Sequence, residues 1–305
     1  MSLTLDHERV RTSVGLLDRS TRGKLRLEGA EAAEFLQGQL TNDVEALEPG
    51  QGCYAALLTH KGKLRADMRV LRAADWILLD TEPLGLASVL HTVRVYSLGR
   101  AVSSADVTRT TAILSLLGPA SDDALEIAPP SQEHAFVEGR HGLYVRTLHG
   151  VDVVCPAGEA EAAREALDVE EASPEAAECL RIEAGRPRLG LDLDADTLPQ
   201  EAGLNERAVS FTKGCYVGQE TVARLFYKGR PNRHLRGLRL DAPGSTGAAL
   251  SLGGRVVGRL GSVCVSPVHG PVALALLRRE AEPGARVEVE GGGSTTVVAL
   301  PFSRP

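Results

Sequence analysis

Alternation of apolar and polar positions, broken by single amphipathic stretches, predicts strands and helices in turn over the first two-thirds of the chain. Residues 13–27, with Val14-Gly15-Leu16-Leu17 and then Lys24-Leu25-Arg26-Leu27, predict one strand, and residues 29–39 a short helix closed by the turn formers Thr41, Asn42 and Asp43. Residues 54–59 and 64–71 predict a hairpin turning at Lys61-Gly62-Lys63, followed by a strand at 76–80 and a helix at 83–96. A second series begins with a strand at 112–117, continues with a hairpin of 144–148 and 151–155, and ends in helices at 159–167 and 174–184. Strand pairs mixed with single helices form the α+β pattern rather than regular βαβ winding. Residues 189–208 predict irregular chain, and residues 218–225 open another helix. From His234 onward the pattern changes to short strands separated by glycine turns such as Gly253-Gly254 and Gly291-Gly292-Gly293, which predicts a small β-barrel.

Composition narrows this picture only moderately. The 305 residues are 43% hydrophobic and 24% charged, with a net charge of -6, ordinary values for a soluble globular chain and contrary to a general nucleic-acid coat. Cysteines at 53, 155, 179, 215 and 264 are odd in number and widely spaced, so a reducing cytoplasm fits better than a disulfide framework. Their spacing suits neither zinc nor a cluster held within one chain, so no metal site is expected. Residues 1–11 lack the apolar core of a signal peptide, and the apolar run 272–277 is too short to span a bilayer, so no membrane contact is expected. Gly50-Gln51-Gly52 precedes a strand rather than a helix, which excludes a dinucleotide fingerprint, and Lys61-Gly62-Lys63 lacks the remainder of a P-loop.

Candidate chemistry sits in four places. Lys213-Gly214-Cys215-Tyr216-Val217-Gly218-Gln219-Glu220 puts a thiol beside a cation and just before a helix N-terminus, where a thiolate would be favoured; a small buried cysteine would also fit. Asp67 is the only acid between Lys61 and Arg72, and alternation places it on one strand face with Lys63, Arg65 and Arg69. A carboxylate among these cations is expected to stay ionised, whether aimed into a pocket or lying on a solvated face with weak ion pairs. Glu183 lies in the last turn of its helix, where the dipole disfavours an acid, and either an ion pair with Arg181 or Arg186 or a binding role accounts for it. Residues 224–239 carry Arg224, Lys228, Arg230, Arg233, Arg236 and Arg239 with no acid, and Phe226, Tyr227 and His234 interleaved. That stripe suits a solvated linker, a cradle for an acidic tail, or stacked bases of a nucleic acid.

The 213–220 stretch resembles the signature of the folate-binding YgfZ-type proteins, relatives of the glycine-cleavage T-protein (aminomethyltransferase) that support iron–sulfur enzymes. Residues 35–43, 180–185 and 199–202 resemble further blocks of that family. The resemblance implies a T-protein-like α+β fold, with two α+β domains around a central folate pocket and a C-terminal small β-barrel. It suggests domains over 1–108, 109–233 and 234–305, the second carrying the signature and exchanging segments with the first. It implies tetrahydrofolate or a derivative as ligand, with Asp67, Cys215 and Lys213 in catalytic positions. Glu183 would grip the pterin edge, with Arg181, Tyr54, Tyr216, Arg224 and Asp67 around the cofactor. The function implied is a cytoplasmic, tetrahydrofolate-binding accessory protein for assembly or maintenance of iron–sulfur enzymes as clients. The alternatives are a folate-dependent aminomethyltransferase, favoured by Asp67, and an RNA-modification accessory factor contacting tRNA through 224–239.

Overall fold

The structure, a computed structural model, describes residues 3–303. Helix α1 (Leu3–Thr12) leads into strands β1 (Gly15–Asp18) and β2 (Gly23–Glu28), helix α2 (Ala32–Gln39), strands β3 (Gln51–Leu58), β4 (Leu64–Arg72) and β5 (Trp76–Thr81), helix α3 (Pro83–Tyr96) and strand β6 (Ser103–Asp106). Strands β7 (Thr111–Leu117), β8 (Phe136–Gly139), β9 (Gly142–Thr147) and β10 (Gly150–Pro156) follow, then helices α4 (Ala160–Leu167) and α5 (Pro174–Glu183). An irregular stretch holding α6 (Asn205–Ala208) ends in α7 (Gln219–Lys228). Strands β11 (Arg233–Leu240), β12 (Ala249–Leu252), β13 (Arg255–Ser266), β14 (Gly270–Arg278), β15 (Arg286–Val289) and β16 (Ser294–Val298) complete the described chain.

The strands build two five-stranded antiparallel sheets, ordered β3-β4-β5-β2-β6 and β8-β9-β10-β7-β1, and the closed barrel β11-β14-β13-β12-β15-β16. The two sheets share one plan, a three-strand meander, then the strand that opens the unit, then an edge strand. In the first sheet that edge is β6, next in sequence; in the second it is β1, from the start of the chain. The single strand expected over 13–27 is therefore two strands in different sheets. Asp18 breaks it, because its carboxylate accepts the Ser20 N–H at 2.8 Å in a turn while the Arg19 N–H donates to the Ile113 carbonyl.

Strand alternation sorts the side chains into layers. On β4, Ala66, Met68 and Val70 face α2 and α3 with Leu27, Phe35, Val89 and Val93. The intervening Leu71 faces the other sheet, where it meets Leu78, Ile113, Phe136, Val145 and Val154. On β10, Val151 and Val153 pack toward α4 with Ala163 and Leu167. The two sheets and their helices thus stack as helix, sheet, sheet, helix beside the barrel, with an inter-sheet space that is apolar at one end.

Helix α1 has only a weak apolar stripe, and its pattern predicts no helix; it forms where Val10 packs with Leu117, Ala172, Ala176 and Leu180. Helix α5 follows its sequence signals closely. Ser173 caps it by accepting the Ala176 N–H, Pro174 opens it, and Gly185 follows its end in the left-handed region at φ 67°.

Candidate active site

Toward its other end the inter-sheet space becomes charged. On β4 the residues in step with Leu71 are Arg69 and Asp67, on β5 the residue in step with Leu78 is Asp80, and on β10 Asp152 is in step with Val154. Arg69 bridges the sheets, with Nη2 2.8 Å from an Asp80 oxygen and Nη1 2.8 Å from Asp152. Ser115 donates to the second Asp152 oxygen at 2.6 Å, and Arg22 reaches Asp80 and Glu82, each at 2.5 Å. Burial works against ionised Asp80, but Arg22 and Arg69 outweigh it and hold its pKa below the ordinary value.

Asp67 lies just beyond this network and is 3% exposed. Ala56 is its register partner and Tyr54 is diagonal to it across the β3–β4 pair; the Tyr54 hydroxyl donates to Asp67 Oδ2 at 2.7 Å. Oδ1 is buried and has no hydrogen-bond partner among the described residues. Burial raises the Asp67 pKa above its ordinary 3.8, and the Tyr54 hydrogen bond and the Arg22 charge offset this only in part. The expectation of a carboxylate kept ionised by flanking cations is corrected in direction. Arg65 and Lys63 point elsewhere, to Thr92 and Asp196, and desolvation decides. The solvated strand face is overturned by the burial of Asp67 and Arg69.

Tyr54 is held between two neighbours. The Arg207 guanidinium lies 4.6 Å from its ring centroid, and the His134 ring stacks at 6.0 Å. With its ring flanked in this way, Tyr54 holds its hydroxyl on Asp67. Glu133 gathers Arg186 at 3.4 Å, His134 at 3.7 Å and Arg207 at 3.8 Å. Burial first, then the Arg69 charge, lowers the His134 pKa to about 4. His134 Nδ1, Arg207 Nε and Arg186 Nη1 are buried without partners among the described residues, as is Asp67 Oδ1. These atoms share one charged region, where buried polar groups ordinarily find partners. Sequence reading missed Arg22, Asp80, Glu133, His134, Asp152 and Arg207, which come from separate segments with no shared motif.

The remaining expected site residues make contacts within the protein. Glu183 accepts from the His7 ring at 2.9 Å and the Ser266 hydroxyl at 2.5 Å, tying α1, α5 and β13 together. Burial works to raise its pKa, but these two hydrogen bonds outweigh that and keep it below the ordinary value. Arg181 is bound to Glu178, Asp192, Ser262 and the Arg186 carbonyl. Lys213 sends its ammonium to the carbonyls of Gln37, Leu40 and Asn42 at 2.6, 2.7 and 2.9 Å. Burial lowers its pKa to about 8, and the cation expected to support a Cys215 thiolate is committed to the 37–42 turn. Tyr216 is buried among Leu58, Leu64, Leu189 and Val222, with burial pushing its phenol up to about 12.

Cys215 is exposed, and it is the exposed member of the five cysteines. Gly218 caps α7 at φ 87°, and a Cβ there would lie 2.5 Å from the Thr59 carbonyl oxygen, so only glycine lets the signature close onto the β3–β4 turn. Arg224 is exposed on α7, and the basic stripe is divided: Lys228 and Arg230 flank the helix end, whereas Arg233 pairs with Glu201 on the barrel side. No hydrogen bond or ion pair among the described residues joins Asp67, Glu183 and Cys215.

A fold of two matched sheets enclosing a buried acid, followed by a six-stranded barrel, defines a class to which known proteins belong. The GCVT N-terminal domain family matches residues 2–155. The chain is 30% identical to the aminomethyltransferase of Rubrobacter xylanophilus over 319 aligned positions, covering 98% of this chain and 86% of that protein. It is 30% identical to a candidate chloroplastic transferase of Arabidopsis thaliana over 266 positions, covering 82% of this chain but 61% of that longer protein. The crystal structure of the glycine cleavage system aminomethyltransferase T from Bartonella henselae superimposes with a TM-score of 0.89 at 26% identity, over 99% of this chain and 90% of that one. The chain belongs to the glycine-cleavage T-protein family. Among the described residues no helix is long and apolar enough to cross a membrane.

Proposed function

We propose that this protein binds a reduced folate at the charged end of the inter-sheet space and that Asp67 moves a proton there during one-carbon transfer, as an aminomethyltransferase requires. The observation that carries the reading is the Asp67 carboxyl, with one oxygen held by Tyr54 and the other buried without a partner. Its raised pKa increases the fraction that carries a proton near neutrality, which suits a group that gives and takes one. The unpartnered nitrogens of His134, Arg207 and Arg186 fit a planar ligand rich in heteroatoms. Glu183 and Arg181 are spent on contacts within the protein, so the reading gives ligand contact to the Glu133–Arg207 group instead. When bound, tetrahydrofolate supplies the nitrogens that carry the one-carbon unit. Asp67 stands ready to exchange a proton at Oδ1, Tyr54 fixes Oδ2, and Arg207 with His134 fixes Tyr54. The test is formation of methylene-tetrahydrofolate, with release of ammonia and the free dihydrolipoyl thiol, from an aminomethylated lipoyl carrier and tetrahydrofolate. Wild type is expected to turn over and Asp67→Asn to lose about 100-fold or more in kcat; equal rates would refute the role of Asp67.

A second reading, an accessory to iron–sulfur enzymes of the YgfZ type, is favoured by the exposure of Cys215 within Lys213–Glu220. Complementation of an iron–sulfur enzyme defect separates the two. Rescue that is lost with Cys215→Ser and kept with Asp67→Asn supports the accessory reading, and equal rescue by Cys215→Ser removes it.

A further inference from the structure

A cleft of about 1140 Å³ opens between the β3–β4 hairpin with α3 on one side, the 189–195 loop at its base, and the barrel strands β13 and β14 on the other. None of Asp67, Glu183 or Cys215 lines it. Two features separate it from an ordinary seam between packed units. The first is charge. Arg65, Arg259 and Arg278 line it and none has a carboxylate partner among the described residues, in a chain whose net charge is -6. Arg65 donates to Thr92 Oγ1 at 3.2 Å and Arg259 to the Gly247 carbonyl at 3.0 Å, contacts that position each guanidinium without neutralising it. Arg278 stands directly opposite Arg233 in the β11–β14 register, an unfavourable like-charge pairing relieved only on one side, where Glu201 takes Arg233 at 2.8 Å.

The carboxylates that face the cleft are Asp192 and Asp194, and both are already engaged. Asp192 accepts the Ser262 N–H and hydroxyl, each at 2.8 Å, the Arg188 N–H at 2.9 Å and an Arg181 guanidinium N–H at 3.1 Å. Asp194 accepts from Thr197 Oγ1 at 2.6 Å and the Asp196 N–H at 2.9 Å. The second feature is apolar exposure. Leu84, Leu191 and Val256, at 66, 42 and 57% exposed, are large apolar residues left in water, and all three line this cleft. Three apolar side chains left in water beside three unpaired arginines leave the cleft without an internal complement for either property.

We propose that this cleft is a second ligand site, distinct from the inter-sheet site, for a phosphate ester of nucleotide size. Its phosphates lie against Arg65, Arg259 and Arg278, and its planar or apolar body lies on Leu84, Leu191 and Val256. Guanidinium forks on two opposing walls match a group with several anionic oxygens, since each fork takes two of them in parallel. At about 1140 Å³ the cleft is large enough to admit a molecule of nucleotide size.

Calorimetric titration of the full chain with ADP, with pyrophosphate and with citrate tests this. ADP is expected to bind saturably and pyrophosphate more weakly, since it lacks the body, with citrate weaker again. The double variant Arg259→Ser/Arg278→Ser is expected to lose about tenfold or more in ADP affinity, as two charge-assisted contacts disappear. Tetrahydrofolate is expected not to displace ADP, so this site stands or falls independently of the folate reading. Absence of saturation by ADP and pyrophosphate at millimolar concentration, or unchanged affinity in the double variant, would overturn the site. Citrate binding as tightly as pyrophosphate would overturn the phosphate assignment, and displacement by tetrahydrofolate would overturn the separation of the two sites.

Discussion

Asp67 is under opposed influences, and their balance sets its behaviour with pH. Removal from water raises its pKa, while Tyr54 and Arg22 lower it, and burial prevails. An acid whose folded pKa lies above 3.8 holds a proton in the folded state that the unfolded chain has already released. The stability contributed by that protonation is fully present below pH 3.8 and is lost as the pH rises through the folded pKa. Asp67→Asn abolishes this dependence. Its melting temperature is expected to match wild type near pH 3.5 and to exceed it by a few degrees near pH 8. A wild type that melts higher at pH 8 would show that Asp67 is stabilised in its charged form. At this scale the sequence revealed that Asp67 was singular but not which influence would win, because Arg22, Tyr54 and Arg207 reach it only through the fold.

The signature is an element that works as a clasp. Lys213 ties it to the turn after α2 through three carbonyls, and Gly218 and Gly62 let it close on the β3–β4 hairpin, where a Cβ on Gly62 would meet Thr221 at 2.9 Å. Lys213→Met leaves those three carbonyls without a donor and is expected to destabilise the protein by about 3 kcal/mol. Cys215→Ser, at an exposed position with no packing role, is expected to stay within about 0.5 kcal/mol of wild type. Denaturant unfolding of both variants checks this, and a neutral Lys213→Met would contradict the clasp. The helix start at 219 and the turn at Gly62 were legible from glycine placement alone. The role of Lys213 was not, since its acceptors lie more than 170 residues away in sequence.

At the scale of the molecule, the α+β pattern, the barrel after residue 233 and the hairpin that carries Asp67 could all be read from periodicity and turn residues. The strand exchange could not be read in full. Nothing local in Gly15–Asp18 distinguishes an edge strand of the second sheet from a continuation into β2, and the choice is made by pairing with β7. The charged inter-sheet network was invisible for the same reason, because Arg69, Asp80 and Asp152 acquire meaning only when two sheets face each other. The account rests on that facing arrangement producing one folate site at the Asp67 end. Calorimetric titration of the full chain with tetrahydrofolate, alongside Arg207→Ala, tests it most directly. Saturable binding with one ligand per chain in wild type, weakened about tenfold or more in Arg207→Ala, is the predicted result; no binding by wild type, or equal binding by both proteins, would contradict it.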